Sequence, residues 1–145
     1  MSVDLPRNGF VQPVEIVGGG GGGIDVIVNG LKQVQNTESV AALGAGATVT
    51  GSSRDCINYE SFGISVFLDP LAGQAINVTV LVENSRDGVT FRQVDSVTLV
   101  GATDANMYLN RVYSATRQYY RVSLINNDAT HALTSTELIS MQKPV

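Results

Sequence analysis

Few residues of this chain are equipped for chemistry. A nucleophilic centre needs a base held by a neighbour, and a zinc site needs three or four ligands, yet the chain has one histidine, His131, and one cysteine, Cys56. His131 follows Asn126, Asn127, Asp128 and Thr130 in a segment that reads as a solvated loop. Cys56 reads as a small buried hydrophobe rather than a reactive thiol, and a lone cysteine excludes an internal disulfide. Asp55, Glu60, Asp69, Glu83, Asp87, Asp95 and Asp104 include enough carboxylates for a glycosidase pair. Most of them fall at predicted turns or strand ends, where solvated charges are ordinary. Asp87, Asp95 and Asp104 fit no calcium-loop spacing. Six glycines, residues 18–23, are followed by Ile24-Asp25 rather than Lys-Ser/Thr, so they form a tether and not a phosphate loop. Asn77-Val78-Thr79 matches a glycosylation sequon but falls within the best predicted strand. The expectation is a protein that is not an enzyme, with no catalytic residue, no metal and no cofactor.

The densest grouping of interface-type residues is Tyr108, Arg111, Tyr113, Tyr119 and Arg121, with Tyr120 and Arg117 among them. Tyrosine and arginine are enriched where proteins meet. The alternative reading is that alternate tyrosines complete a core while the arginines face water. Elsewhere the cations are scattered and the net charge is −4, so no electrostatic footprint for nucleic acid exists. No apolar run is long enough for a spanning helix. Residues 1–10 carry Asp4, Pro6 and Arg7 and no continuous apolar stretch, so no secretory signal is read and synthesis in a reducing cytoplasm is expected.

The elements that would position these residues are strands. With 145 residues, 43% hydrophobic and 15% charged, the chain has material for one packed domain. From about Val40, short apolar alternations are separated by turn signals, the signature of an all-β antiparallel sandwich of about eight strands. In Ala75 to Glu83, Ile76, Val78, Val80 and Val82 share one face, which marks a central strand. In Phe62 to Asp69, Ile64, Val66 and Leu68 do so, and in Gln118 to Asn126, Tyr120, Val122 and Leu124. Further strands are expected at Ala47 to Gly51, Val89 to Val94, Ser96 to Val100, Met107 to Val112 and Ala132 to Met141. Asp87-Gly88 supplies hairpin chemistry. No capped 3.6-residue periodicity predicts a helix.

Residues 1–37 are of another kind and are assigned to an extended N-terminal arm, leaving 38–145 to the sandwich. Pro6, Pro13 and the glycine run interrupt each apolar segment. The six glycines span about 20 Å when extended. The arm's expected partner-binding residues are Val11, Val14, Ile16 and Val17 before the tether, and Ile24, Val26 and Val28 after it. Such short pieces order by adding strands to a neighbour's sheet edge.

The stretch from Ala42 to the C-terminus resembles the small β-sandwich domains of tailed-bacteriophage virion proteins, including capsid decoration (cement) proteins and tail or fibre adaptor domains. The likeness rests on residues 43–51 (Leu43 to Gly51), Tyr59 to Phe67, the hairpin Glu83-Asn84-Ser85-Arg86-Asp87-Gly88-Val89-Thr90-Phe91, and the late strand Gln118 to Asn127. The resemblance implies a jelly-roll-like sandwich, trimeric, attached to a virion through a terminal arm. Its implied partner is the major capsid protein or another virion protein, on the capsid surface in preference to the tail. The alternative it carries is a tail, baseplate or fibre adaptor or receptor-binding domain. The family's aromatic after the opening strand is missing, for the chain has no tryptophan, and a sugar-binding role is not carried over.

Overall fold

The computed structural model describes residues 32–144. Their regular elements are nine strands: β1 (Val34–Ser39), β2 (Thr48–Thr50), β3 (Arg54–Asp55), β4 (Ser61–Pro70), β5 (Asn77–Ser85), β6 (Arg92–Val100), β7 (Met107–Ser114), β8 (Tyr119–Asn126) and β9 (Leu133–Lys143). They pair antiparallel into two sheets. The first has the order β1-β9-β4-β7, and the second the order β2-β8-β5-β6, with β3 also on β8. The chain changes sheet at every connection except β2–β3 and β5–β6. With β2 and β3 counted as one interrupted strand, this is an antiparallel β-sandwich of eight.

Alternation explains which residues meet in the middle. Phe62, Ile64, Val66 and Leu68 of β4 and Leu138 of β9 face Val78, Val80 and Val82 of β5 and Tyr120, Val122 and Leu124 of β8, all buried. The faces expected for β4, β5 and β8 are those observed. Burial of each aliphatic side chain contributes about 1.5–3 kcal/mol. The rings of Phe62 and Tyr120 stack with centroids 5.2 Å apart. The Tyr120 hydroxyl donates to Ser114 O and accepts from Thr116 N, which gives its polar end partners and ties the β7–β8 loop to the core.

Three expectations about boundaries need correction. The arm–sandwich division between 37 and 38 falls inside β1, whose residues 34–37 pair with β9. This strand lacks an apolar stripe because its inner residues meet polar ones: Asn36 Nδ2 donates to Gln142 Oε1 and Glu38 binds Arg54. The strands expected at Val89 to Val94 and Ser96 to Val100 are one strand, β6, interrupted by a register shift opposite Val82 and Glu83. Asp95 and Gln93 pair with Val82 and Glu83, so Val94 is the extra residue that breaks the period of two. Val89 and Thr90 belong instead to the β5–β6 turn. The two-residue β3 is additional. The arm residues Val11, Val14, Ile16, Val17, Ile24, Val26 and Val28, and the six glycines, lie outside the described residues.

Candidate interaction surface

The five tyrosines and arginines singled out in the sequence occupy three places. Arg111 and Tyr113 converge on Asp95, whose Oδ2 accepts from the Tyr113 hydroxyl at 2.8 Å and from Arg111 Nη1 at 3.1 Å. Asp95 lies on β6 and the other two on β7, so this cluster bridges the edge strands of the two sheets. Burial, reinforced by the acceptor Asp95, pushes the Tyr113 phenol up to about 12. Arg121 is on the second sheet's outer face, bidentate to Glu83 at 3.1 and 3.3 Å, with its guanidinium 3.9 Å from the centre of the Phe91 ring. Tyr119 packs near Gly88 of the β5–β6 turn. Tyr108 stands on the outer face of the first sheet, 70% exposed.

That outer face can be read from the register. One row across it is Val112, Gly63, Met141 and Gln35; the next is Asn110, Ser65, Ile139 and Thr37; the third is Tyr108, Phe67 and Glu137. Val112 is 61% exposed, and Met141 lies over Gly63, its methyl carbon 3.5 Å from where a Cβ would stand. Only Glu137 in these rows is charged. Val112, Met141, Ile139, Phe67 and Tyr108 thus place apolar side chains on three adjacent strands, interspersed with Asn110, Ser65 and Glu137.

The acids and the two solitary residues have local roles. Asp69 accepts from Ser135 Oγ, Asp104 from Gly73 N, and Asp55 from Ile57 N. Asp87 accepts from the backbone N–H groups of Val89 and Thr90 and from Ser85 Oγ, and these bonds hold its carboxyl far below the usual range. Gly88 takes φ +74° in the same turn, a conformation that favours glycine. His131 Nδ1 is 2.9 Å from Asp128 Oδ2 and the ring is partly exposed. Cys56 is 2% exposed, and burial, aided by Asp55, pushes its thiol up to about 11. Among the described residues no group of three His, Cys, Asp or Glu is placed to hold a metal ion, and no helix is long and apolar enough to cross a membrane.

Two features escaped sequence reasoning. Glu38 is 2% exposed at the side chain, between the sheets. It accepts from Arg54 Nε and Nη2 at 2.8 Å, from Ser140 Oγ at 2.6 Å and from Ser52 N at 3.2 Å. Burial pushes its carboxyl up, and these donors with the Arg54 charge outweigh it, so the net position is below the ordinary value. A polar alternation gives no hint of such a site. The other is a groove at one end of the sandwich in which Arg86, Arg92 and Arg117 meet. They come from three separate segments, and no spacing links them.

Among solved structures, the crystal structure of the PBSX exported protein XepA is 15% identical with a TM-score of 0.61, over 77% of this chain and 37% of that one. VP2 in the infectious bursal disease virus subviral particle is 11% identical with a TM-score of 0.54, over 78% of this chain and 33% of that one. The chain therefore spans about a third of the length of these proteins, and the likeness is one of fold. No curated protein sequence matches it. Residues 24–143 match the family described as "Uncharacterised protein YqxG N-terminal domain", and the chain belongs to that family.

Proposed function

We propose that the protein is a non-enzymatic structural component of a bacteriophage virion, a capsid decoration (cement) protein whose sandwich packs against the major capsid shell, as a trimer, with the N-terminal arm as a second point of attachment. The observation that carries this reading is the outer face of the first sheet, where Tyr108 and Val112 are 70% and 61% exposed beside Phe67, Ile139 and Met141. A nearly uncharged face with exposed large apolar side chains is what a protein partner covers. The β-sandwich fold, similar to that of the PBSX exported protein XepA and of VP2 in the infectious bursal disease virus subviral particle, supports the virion setting.

The test uses phage particles made with the wild-type gene, with Tyr108→Asp/Val112→Asp, and with a deletion of residues 1–28. Copy number per purified particle is read by quantitative mass spectrometry. Wild-type copies in proportion to the shell lattice support decoration. The face variant should fall at least about tenfold in occupancy, as loss of a central aromatic contact does, while its thermal unfolding stays cooperative. The deletion measures the arm's share. A handful of copies per particle would move the protein to the tail or fibre, and absence from particles would overturn a virion role altogether.

A further inference from the structure

The end of the sandwich where the β5–β6 turn approaches the β7–β8 loop contains a groove of about 460 Å³. Arg86 enters it from the turn, Arg92 from the start of β6 and Arg117 from the β7–β8 loop, and Asn84 and Thr90 add uncharged polar groups to its walls. The chain's other described arginines are each engaged by an acid: Arg54 by Glu38, Arg111 by Asp95 and Arg121 by Glu83. Arg86, Arg92 and Arg117 have no such partner among the described residues. The one carboxylate in the lining, Asp87, turns Oδ1 inward to Val89 N, Thr90 N and Ser85 Oγ. Three guanidinium groups less one carboxylate leave the groove at +2, on a protein whose net charge is −4.

We propose that this groove binds a multiply charged oxyanion of the phosphate class, either a free phosphate ester or the phosphodiester backbone of a polymer. Three arginines lining one concave space suit the several oxygens of phosphate groups, which a planar guanidinium grips with paired N–H donors. The turn that presents Arg86 and Thr90 is braced by the Ser85 and Asp87 hydrogen bonds, so part of the site is set before a ligand arrives. This surface is separate from the apolar outer face of the first sheet and does not depend on a virion role.

Isothermal titration calorimetry of the full-length protein at low salt tests the proposal, with tripolyphosphate as the free probe and a short poly(glycerol phosphate) as the phosphodiester probe. Arg92→Gln and Arg117→Gln should each weaken binding about tenfold, the scale of one charge-assisted contact. Arg86→Gln/Arg92→Gln/Arg117→Gln should abolish it, with thermal unfolding unchanged. Arg111→Gln, whose parent side chain already serves Asp95, should bind within about twofold of wild type. Tighter binding of the polymer assigns the groove to a phosphodiester chain, and binding of tripolyphosphate alone assigns it to small phosphates. Failure of the wild type to bind either probe, retention of binding by the triple variant, or an equal loss in Arg111→Gln would overturn the proposal.

Discussion

The two outer faces of the sandwich are built on the same strand geometry and have been given opposite surfaces. On the second sheet, Thr48, Ile125, Thr79 and Thr98 form one row and Thr50, Ser123, Leu81 and Ser96 the next. Their polar groups are largely answered within the face: Thr79 and Thr98 hydroxyls meet at 3.0 Å, Ser123 donates to Thr50, and Asn127 donates to Thr79 and Asn77. Beyond them Arg121 is locked to Glu83. The first sheet places Tyr108, Phe67, Val112, Ile139 and Met141 in the equivalent positions. Inward-facing residues specify the fold, and on the central strands β4, β5 and β8 they are alike in their apolar character. The outward residues are free of that duty, and their difference is where the molecule's dealings with its surroundings are written.

The largest effect is expected where inside and outside are exchanged on a single strand. Val80→Asp puts an unpaired carboxylate between the sheets, at a cost of several kcal/mol against a typical total of about 5–15, and should abolish cooperative unfolding. Leu81→Asp, one residue along and facing outward, should leave a folded protein with a lowered melting temperature. Denaturant titration of the pair checks this; a reversed order of severity would mean that the faces of β5 are exchanged.

Next in size is the buried ion pair at the β1 end. Glu38→Ala strands Arg54 and removes the acceptor of Ser140 and Ser52 N, and should cost about 2–4 kcal/mol, Arg54 retaining some contact with water. Since the folded carboxyl sits below its ordinary value of 4.5, the unfolded chain binds more protons in acid. The stabilisation is full above about pH 4.5 and is lost as pH falls through the folded value. Asp87 and Asp128 shift in the same direction, so the part due to Glu38 is read as the difference from Glu38→Gln. The gap in unfolding free energy between wild type and Glu38→Gln should shrink from pH 7 to pH 3, and a gap independent of pH would contradict the pairing.

The smallest effects on stability, and the sharpest on the comparison of faces, come from outward substitutions. Tyr108→Ser and Thr98→Val should each change the unfolding free energy by no more than about 0.5 kcal/mol. Only Tyr108→Ser should lower occupancy on particles. Equal occupancy for both variants would erase the functional distinction between the sheets.

What the sequence discloses follows from how much each residue's burial depends on its own neighbours. The alternations around Ile64, Val78 and Val122 are local, and they located β4, β5 and β8 with their inward faces. β1 was missed because its sequence, Val-Gln-Asn-Thr-Glu-Ser, is polar on the side that faces in; the compensating groups, Arg54, Ser140 and Gln142, lie far along the chain. The tyrosine–arginine grouping was legible as composition but not as a site. β7 and β8 are consecutive in sequence and belong to different sheets, so residues close in number are divided among the first sheet's outer face, the Asp95 bridge and the second sheet's outer face. The three groove arginines were lost among the scattered cations for the converse reason, since only folding brings a turn, a strand start and a loop together.

The position of β9 bears on how the protein is made. It sits between β1 and β4 in the first sheet, and Glu38 on β1 meets Ser140 on β9 across 102 residues of chain. A ribosome therefore delivers the strand that joins β1 to β4 after the other described strands of the sandwich have emerged. Until then β1 has no neighbour in its sheet among the described strands, and β4 shows one bare edge of hydrogen-bonding groups, a ready template for unwanted pairing. Folding dominated by so distant a closure is slow. Nascent chains halted before Leu133 should accordingly be the most prone to aggregate, and their release should coincide with the appearance of β9.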